Sequence, residues 1–204
     1  MIVAISGATG SGKSTLAASV CEKLEALSPA LLRQDAFFRD FHEVPEEKRA
    51  NVITSNHPIA VLWDALVDHL EALLRGEAIQ LPVAGSRSWG RKQDPWTLGP
   101  TSVVIIEGHL LYTEPRILRL ADLKVFVDTN VHERVVRRLL RDTESGKTSL
   151  EGATNWYRRD VIPNVTRHSE KMRVLADLVI PYDEHNEVGA QAVADWVSAK
   201  HSGR

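Results

Sequence analysis

Residues 7–15 read Gly7-Ala8-Thr9-Gly10-Ser11-Gly12-Lys13-Ser14-Thr15. The stretch follows an apolar run at residues 1–6, and a segment with apolar residues at helical spacing comes after it. A strand, a glycine-rich turn and a helix, in this order, are the context in which the pattern G-x-x-x-x-G-K-[S/T] forms a phosphate-binding loop. The alternative, a glycine-rich turn that contains Lys-Ser by chance, does not account for this context. We therefore predict a site for a nucleoside triphosphate.

Each residue type in this loop suits a phosphate ligand. The glycines let backbone N–H groups turn inward toward phosphate oxygens, and a helix that begins near Lys13 adds the positive end of its dipole. Lys13 is predicted to reach the β- and γ-phosphates, and the Ser14 hydroxyl is predicted to ligate Mg²⁺. Residues 7–15 together are thus the predicted ATP-binding loop. The motif alone does not say what happens to the γ-phosphate.

Length and composition restrict the class of protein. The 204 residues suit one compact α/β domain, residues 1–204, with a small lid. The formal net charge of −2 gives no general attraction to nucleic acid or to an anionic membrane. Cys21 is the single cysteine, so an intramolecular disulfide is excluded. We expect a cytoplasmic protein that acts on a small molecule, and the sequence leaves a homo-oligomer open.

Acidic residues follow two of the predicted strands. Residues 31–34 read as a strand that ends in Asp35, and residues 102–106 form a continuous apolar run that ends in Glu107. Carboxyl ends of parallel strands face the crevice in which open α/β sheets bind ligands. Asp35 is thus a candidate general base for a substrate hydroxyl, the alternative being a turn-forming residue. Glu107 is Walker-B-like and a candidate Mg²⁺ ligand.

The remaining pattern alternates strands and helices. Further strands are predicted at residues 123–128 and 177–180, with an edge strand at 79–83; helices are predicted near 62–76, 115–121, 150–170 with a break at Pro163, and 188–199. Pro45-Glu46-Glu47 is typical of a helix start. This alternation indicates a doubly wound parallel sheet, a three-layer αβα sandwich.

Two segments carry clustered cations. From His132 the chain is helical and basic, with Arg134, Arg138 and Arg141 on one predicted face. This is either a solvated surface or a lid, roughly residues 138–160, that places guanidinium groups on the transferred phosphate.

Residues 84–96 show no periodicity and contain two tryptophans and three cations. Stacking of an aromatic residue on a base and a plain surface loop are equally supported explanations of that segment.

Four blocks in order resemble the uridine/cytidine kinase family of P-loop nucleoside kinases. They are residues 5–15, residues 34–38, residues 103–111 with 122–128, and residues 137–142 followed by 176–181. The resemblance implies that Lys13 and Ser14 contact ATP and Mg²⁺, that Asp35 takes the 5′-hydroxyl proton, and that Glu107 helps to hold Mg²⁺. It implies further contacts to phosphates from Arg138 and Arg141, and to adenine from Asn186 and Val188. The predicted contacts to the acceptor are Asp35, Phe38, Asn56, Trp89, Arg91 and Glu107.

The acceptor side departs from that family's pattern. Asn56 stands where the family has Asp before His-Pro, residues 84–86 replace its Tyr-Asp-Phe, and Trp89 replaces its His. The lid tip, residues 146–148, and residues 166–168 also differ. The related nicotinamide riboside kinases share the Asp and Glu positions, and Trp89 would suit a cationic nicotinamide. Uridine or cytidine is therefore the leading acceptor, and nicotinamide riboside or another small alcohol is the alternative.

Two functions of other classes are less favoured. A GTPase-like switch would carry an Asn-Lys-x-Asp motif that reads guanine, and residues 128–130 do not supply it. A degenerate nucleotide sensor would not need Lys13, Ser14, Asp35 and Glu107 together. Because both alternatives are less favoured, the prediction is an ATP-dependent kinase.

Overall fold

A computed structural model describes residues 1–41, 44–45, 47–48, 54–144, 146 and 148–203. The helix start predicted at residues 45–47 and Lys147 of the predicted lid tip lie wholly or partly outside these ranges. The strands are β1 (Ile2–Ser6), β2 (Ala30–Arg33), β3 (Ile79–Leu81), β4 (Trp96–Leu98), β5 (Val104–Gly108), β6 (Leu123–Asp128) and β7 (Leu178–Pro181). The helices are α1 (Lys13–Lys23), α2 (Trp63–Leu74), α3 (Arg87–Gly90), α4 (Pro115–Leu120), α5 (Val131–Glu144), α6 (Leu150–Trp156), α7 (Ile162–Asn164) and α8 (Glu187–Ser202).

Five of these strands form one parallel sheet in the order β2-β5-β1-β6-β7. The first strand therefore lies in the centre, with Ile2 opposite Val104 of β5 and Val3 opposite Leu123 of β6. A strand in this position is covered on both faces, which is why its sequence is a continuous apolar run. The predicted parallel α/β sheet is confirmed.

The two faces of β1 bury their side chains in two separate cores. Ile2 and Ala4 belong to a cluster that includes Leu66 of α2, whereas Val3 and Ile5 belong to a second cluster with residues of α1 and α8. Side chains alternate between the faces of a strand, so one short apolar run supplies both cores. The result is the predicted sandwich of helices, sheet and helices.

The strand order brings three chain segments together at one edge of the sheet. Ser6 lies opposite Gly108, and Arg33 lies opposite Glu107, because β5 is placed between β2 and β1. The loop that follows β1, the turn Gln34–Phe37 that follows β2 and the tip of β5 therefore meet. This edge is the place where open parallel sheets bind ligands.

The structure corrects the description of residues 79–98. The predicted edge strand does not join the main sheet: β3 pairs with β4 in a separate two-stranded antiparallel ribbon. Between them, Ser86 caps α3 by accepting a hydrogen bond from the Trp89 backbone N–H at 3.2 Å. The segment predicted to be a loop thus contains a helical turn, and its last residue, Trp96, is the first residue of β4. It lacked periodicity because β4 is largely exposed on both faces.

Pro163 does not end the helical segment in which it lies. Helical backbone continues from residue 150 to 175, with wider π-helical turns at Tyr157–Val161 and Val165–Ser169 on either side of α7. Proline removes one backbone donor and its ring crowds the preceding turn, and a wider turn relieves that crowding. The Asn164 side chain donates to the Asp160 carbonyl oxygen at 2.8 Å, which satisfies one of the acceptors nearby.

Within the described ranges, no helix is both long enough and apolar enough to cross a bilayer.

Leu66 and Leu74 offer a matched test of the packing between α2 and the sheet. Leu66 is fully buried and Leu74 is 45% exposed on the same helix. Leu66→Ala should lower the free energy of unfolding in urea by about 2–5 kcal/mol, because it leaves a cavity in the core. Leu74→Ala should change it by less than about 1 kcal/mol. Equal losses for the two variants would contradict this arrangement of the helix.

Candidate active site

The phosphate-binding loop packs closely against Arg134 and Tyr182, two residues that are distant from it in sequence. Gly10 and Gly12 have φ angles of 78° and 88°, in the left-handed region. A Cβ atom on Gly10 would lie 2.5 Å from the Arg134 carbonyl oxygen, and one on Gly12 would lie 2.4 Å from the Tyr182 ring. Both conformation and space therefore require glycine. The loop is further fixed by Thr129, whose hydroxyl donates to the Ser11 carbonyl oxygen at 2.9 Å.

The start of α1 is suited to bind an anion. Gly12 is the N-cap residue and supplies no side-chain acceptor, and the first turn contains no acidic residue. The backbone N–H groups at this end therefore lack the partners that a capping side chain would provide. Lys13 follows at the first helical position and lines the adjoining cleft. A curled glycine loop, open N–H donors and a lysine together fit a phosphate group.

Ser14 and Glu107 are brought together from two different segments. The Ser14 hydroxyl donates to Glu107 Oε1 at 3.0 Å, and the Arg33 Nε lies 3.8 Å from the same oxygen. Glu107 is buried, with 5% of its surface exposed. Among the described residues no group of three or more His, Cys, Asp or Glu side chains is arranged for a metal. A hydroxyl beside one carboxylate fits Mg²⁺, which keeps waters and takes phosphate oxygens as its other ligands.

A cleft of about 760 Å³ opens beside the loop. Eight of the predicted site residues line it, namely Thr9, Lys13, Asp35, Phe38, Asn56, Arg91, Arg138 and Arg141. Its other lining residues are Ser55, Arg87, Ser88, His109, Asp142, Thr148, Gly152, Ala153 and Trp156. Residues from seven separate stretches of the sequence thus converge on one space next to Lys13.

Arg138 connects the basic helix α5 to the phosphate-binding loop. Its Nη1 donates to the Thr9 hydroxyl at 2.6 Å, and its Nε donates to Asp142 at 2.5 Å. The guanidinium carbon also lies 4.7 Å from the centre of the Trp156 ring, so α6 covers it from above. Burial is the main cause that lowers the pKa of Arg138. Helices α5 and α6 therefore form one side of the cleft.

The three arginines predicted on one face of α5 are not equivalent. Arg138 and Arg141 line the cleft, whereas Arg134 is 5% exposed and forms an ion pair with Glu170, with 3.4 Å between Nη2 and Oε1. Its backbone carbonyl is the group that lies against Gly10. Arg134 thus contacts the back of the loop rather than the cleft.

His109 and Arg87 line the cleft, and sequence reasoning assigned no role to either residue. The His109 Nε2 lies 2.8 Å from the Ser55 carbonyl oxygen, which marks Nε2 as the protonated nitrogen. Burial, followed by the charge of Lys13, lowers the pKa of His109 to about 4. The one sequence feature that could have indicated His109 is its position directly after Glu107-Gly108, at the tip of a predicted strand.

Arg87 shares the Ser55 side of the cleft. Its Nη1 donates to the Ser55 hydroxyl at 2.8 Å, and its guanidinium carbon lies 5.3 Å from the centre of the Phe38 ring. Only the clustering of cations at residues 87–92 pointed to it.

Several predicted ligand contacts lie outside this cleft. Trp89 is 56% exposed and does not line it, and Val188 is 80% exposed. Asn186 caps α8: its Oδ1 accepts from the Gly189 N–H at 2.7 Å and its Nδ2 donates to the Pro181 carbonyl oxygen at 2.9 Å. Thr15 lies in a second hollow, between α1 and the start of α8. The predicted contacts of these residues to adenine or to the acceptor stay predictions.

Comparisons with known proteins agree with this geometry. The chain matches the model of the Phosphoribulokinase / Uridine kinase family over residues 2–189. It is 32% identical to a uridine kinase of Oceanobacillus iheyensis over 197 residues, which cover 97% of this chain and 93% of that protein. It is 34% identical to a uridine kinase of Clostridium perfringens over 193 residues, which cover 95% of this chain and 92% of that protein.

Solved structures show the same fold. A putative fructose transport system kinase from Silicibacter sp. TM1040 superposes with a TM-score of 0.68 at 24% identity, covering 89% of both chains. A possible uridine kinase from Bacillus stearothermophilus superposes with a TM-score of 0.54 at 17% identity, covering 88% of both chains. At these identities the likeness concerns the fold alone.

Gly12 and Gly76 allow a controlled test of the loop. Both have φ near +80°, but a Cβ on Gly76 would meet nothing within 4 Å. Gly76→Ala should cost about 1 kcal/mol of stability from backbone strain alone. Gly12→Ala should cost more and weaken binding of Mg²⁺-ATP at least about ten-fold, because the Tyr182 ring forces the loop to move. Calorimetric titration and thermal unfolding measure both effects, and unchanged ATP binding in Gly12→Ala would contradict the assignment.

The low pKa of His109 predicts a loss of stability in acid. The unfolded chain takes up this proton near pH 6.5, and the folded chain only near pH 4. The resulting penalty is absent above pH 6.5, grows as the pH falls to 4 and reaches up to about 3 kcal/mol. The unfolding free energy of His109→Asn should therefore fall less between these pH values than that of wild type. His132→Asn, at an exposed site on α5, should follow wild type; if His109→Asn does so too, His109 is not buried as a neutral group.

Proposed function

The chain belongs to the phosphoribulokinase/uridine kinase family, and we propose that it is an ATP-dependent kinase of a ribonucleoside. In this proposal it transfers the γ-phosphoryl group of ATP to the 5′-hydroxyl of uridine, cytidine or a similar ribonucleoside. The carrying observation is that Lys13 of the phosphate-binding loop and Asp35 line the same cleft. Residues 1–204 would act as one kinase domain, with a lid at roughly residues 138–160.

The donor half of the proposed site consists of the glycine loop and its neighbours. Backbone N–H groups of residues 7–15 would bind the phosphates, and Lys13 would neutralise charge on the β- and γ-phosphates. Ser14 and Glu107 would hold Mg²⁺, with Oγ and Oε1 already 3.0 Å apart. When bound, the metal ion offsets phosphate charge and orients the phosphate oxygens.

Asp35 is the proposed base of the reaction. Its exposed carboxylate follows β2 at the edge where the glycine loop and Glu107 meet. The acceptor hydroxyl oxygen would form a bond to the γ-phosphorus while the bond from that phosphorus to the β–γ bridging oxygen breaks, and ADP leaves. Asp35 would take the hydroxyl proton. Catalysis of this kind depends mostly on positioning and charge neutralisation, because the protein forms no covalent bond.

Arg138 is the proposed contact from the lid to the transferred group. Its present partners, Thr9 and Asp142, keep its guanidinium group beside the phosphate-binding loop. A guanidinium group there would offset charge that spreads over the phosphoryl oxygens in the transition state. Arg141, also on the cleft, would act in the same way from a more exposed position.

Nicotinamide riboside or another small alcohol is the second candidate acceptor. The observation that keeps the acceptor open is Asn56, which lines the cleft with an amide where the resemblance leads us to expect a carboxylate that binds ribose hydroxyls. A non-catalytic switch is less well supported, because Asp35 would then have no task at the phosphate end of the cleft.

Asp35→Asn should lower kcat for ADP release by at least about a hundred-fold while the Kd for Mg²⁺-ATP changes by less than about two-fold, since the base acts on the acceptor and not on the donor. Asp64→Asn, a change at an exposed aspartate on α2, is the control and should behave as wild type. The assays are coupled ADP release with uridine and calorimetric titration with ATP. If Asp35→Asn keeps wild-type turnover, the assignment of the base is wrong.

A further inference from the structure

Two arginines on the acceptor side of the cleft have no task in the reaction proposed above. Arg87 opens the helical turn α3, and Arg91 follows one turn later as its C-cap residue. Both line the cleft. The Arg87 backbone N–H donates to the Phe38 carbonyl oxygen at 2.8 Å, which holds α3 beside the turn that carries Asp35.

Among the described residues, Arg87 is held in place without a direct ion pair. Its Nη1 donates to the Ser55 hydroxyl, its Nε donates to the Arg39 carbonyl oxygen at 3.2 Å, and the Phe38 ring lies beneath it. Among the described residues, neither Arg87 nor Arg91 has a carboxylate oxygen within 4.0 Å. Burial is the largest cause that lowers the pKa of Arg87, ahead of the opposing charges of Asp35 and Asp40. A half-buried guanidinium group in this state lacks the partner that usually accompanies it.

The charges along the cleft divide into two groups. Its lining contains five cationic side chains and two carboxylates. Lys13, Arg138 and Arg141 belong to the phosphate-binding loop and the helix above it, where a triphosphate would offset them. Arg87 and Arg91 lie on the segment beyond Phe38, on the side of Ser55 and Asn56. A neutral acceptor would leave these two charges without an anion after water is displaced.

We infer that the acceptor carries an anionic oxygen group, a carboxylate or a phosphate, on the part of the molecule that lies away from its reacting hydroxyl, and that Arg87 and Arg91 bind it. This inference rests on the proposed function, since it concerns the acceptor of the same transfer. Guanidinium groups bind both kinds of oxyanion through paired, charge-assisted hydrogen bonds. Because Arg87 is already fixed by Ser55 and Arg39, little side-chain freedom is lost on binding.

The alternative occupant is a neutral carbonyl oxygen of a base. Such an oxygen would accept one hydrogen bond from either arginine, but it would leave the charges uncompensated. The two cases differ in one measurable property, which is the effect of adding a negative charge to an otherwise similar acceptor.

The test compares acceptors in matched pairs that differ in one charged group. Uridine is paired with orotidine, which is uridine with a carboxylate on its base, and nicotinamide riboside is paired with nicotinic acid riboside. Glycerol is paired with glycerol 3-phosphate, so that the carboxylate and phosphate sources are separated. Binding is measured by calorimetry to the full chain with Mg²⁺ and a non-hydrolysable ATP analogue, and turnover is measured as ADP release with ATP.

In wild type, the member that carries the added carboxylate or phosphate should bind at least about ten-fold more tightly than its partner in at least one pair. Arg87→Gln and Arg91→Gln should each reduce that ratio toward one, and Arg87→Lys should restore part of it because it keeps the charge. Arg119→Gln, at an exposed arginine on α4, removes the same charge away from the cleft and should keep the wild-type ratio. Thermal unfolding verifies that each variant is folded.

The inference is overturned if every member without the anionic group binds as well as its partner with that group, or if the glutamine variants weaken both members of a pair equally, as a carbonyl contact would. The proposed function fails separately, when no acceptor stimulates ADP release. Because binding is measured without turnover, a preference for charged acceptors is detected in either case.

Discussion

The close contact between the glycine loop and the protein behind it is the constraint on which the site depends. Gly10 and Gly12 lie so near the Arg134 carbonyl and the Tyr182 ring that no side chain fits between them. These contacts come from α5 and from the residue after β7, elements far apart in sequence. The loop therefore takes its shape only when α5 and β7 are assembled with the rest of the sheet. With that shape, the uncapped N-terminus of α1 lies beside the cleft and Lys13 lines it.

Around this loop the cleft has a rigid half and two covering segments. The rigid half is the edge of the parallel sheet, where Asp35, Glu107 and the loop follow three adjacent strands. One cover is the α3 segment with Arg87, and the other is the pair α5 and α6, joined by the stacking of Arg138 on Trp156. A phosphoryl-transfer site needs such an arrangement, because the reacting groups must be positioned while water is kept away.

Agreement between sequence and structure is best at the sheet. The prediction of β6 at residues 123–128 has the same limits as the strand, and Asp35 and Glu107 lie at the predicted strand ends. Agreement is weaker where elements are short or exposed. The strand β4 was not predicted because neither of its faces is buried. The helical backbone continues through Pro163 because π-helical turns on either side accommodate the proline ring. The inward position of Arg134 was missed because helical spacing assigns residues to a face without saying what that face contacts.

What the sequence determined by itself was the class of chemistry: a phosphate-binding loop between a buried strand and a helix, acidic residues at strand tips, and a basic helix after them. These features are local, since motif spacing and apolar periodicity are properties of a few consecutive residues. Tertiary structure decided the rest. It placed His109 and Arg87 on the cleft, left Trp89 on the surface, and separated Arg134 from Arg138 and Arg141. The physical reason is that burial, charge pairing and cleft shape depend on which distant segments meet, and neighbours in sequence do not specify those contacts.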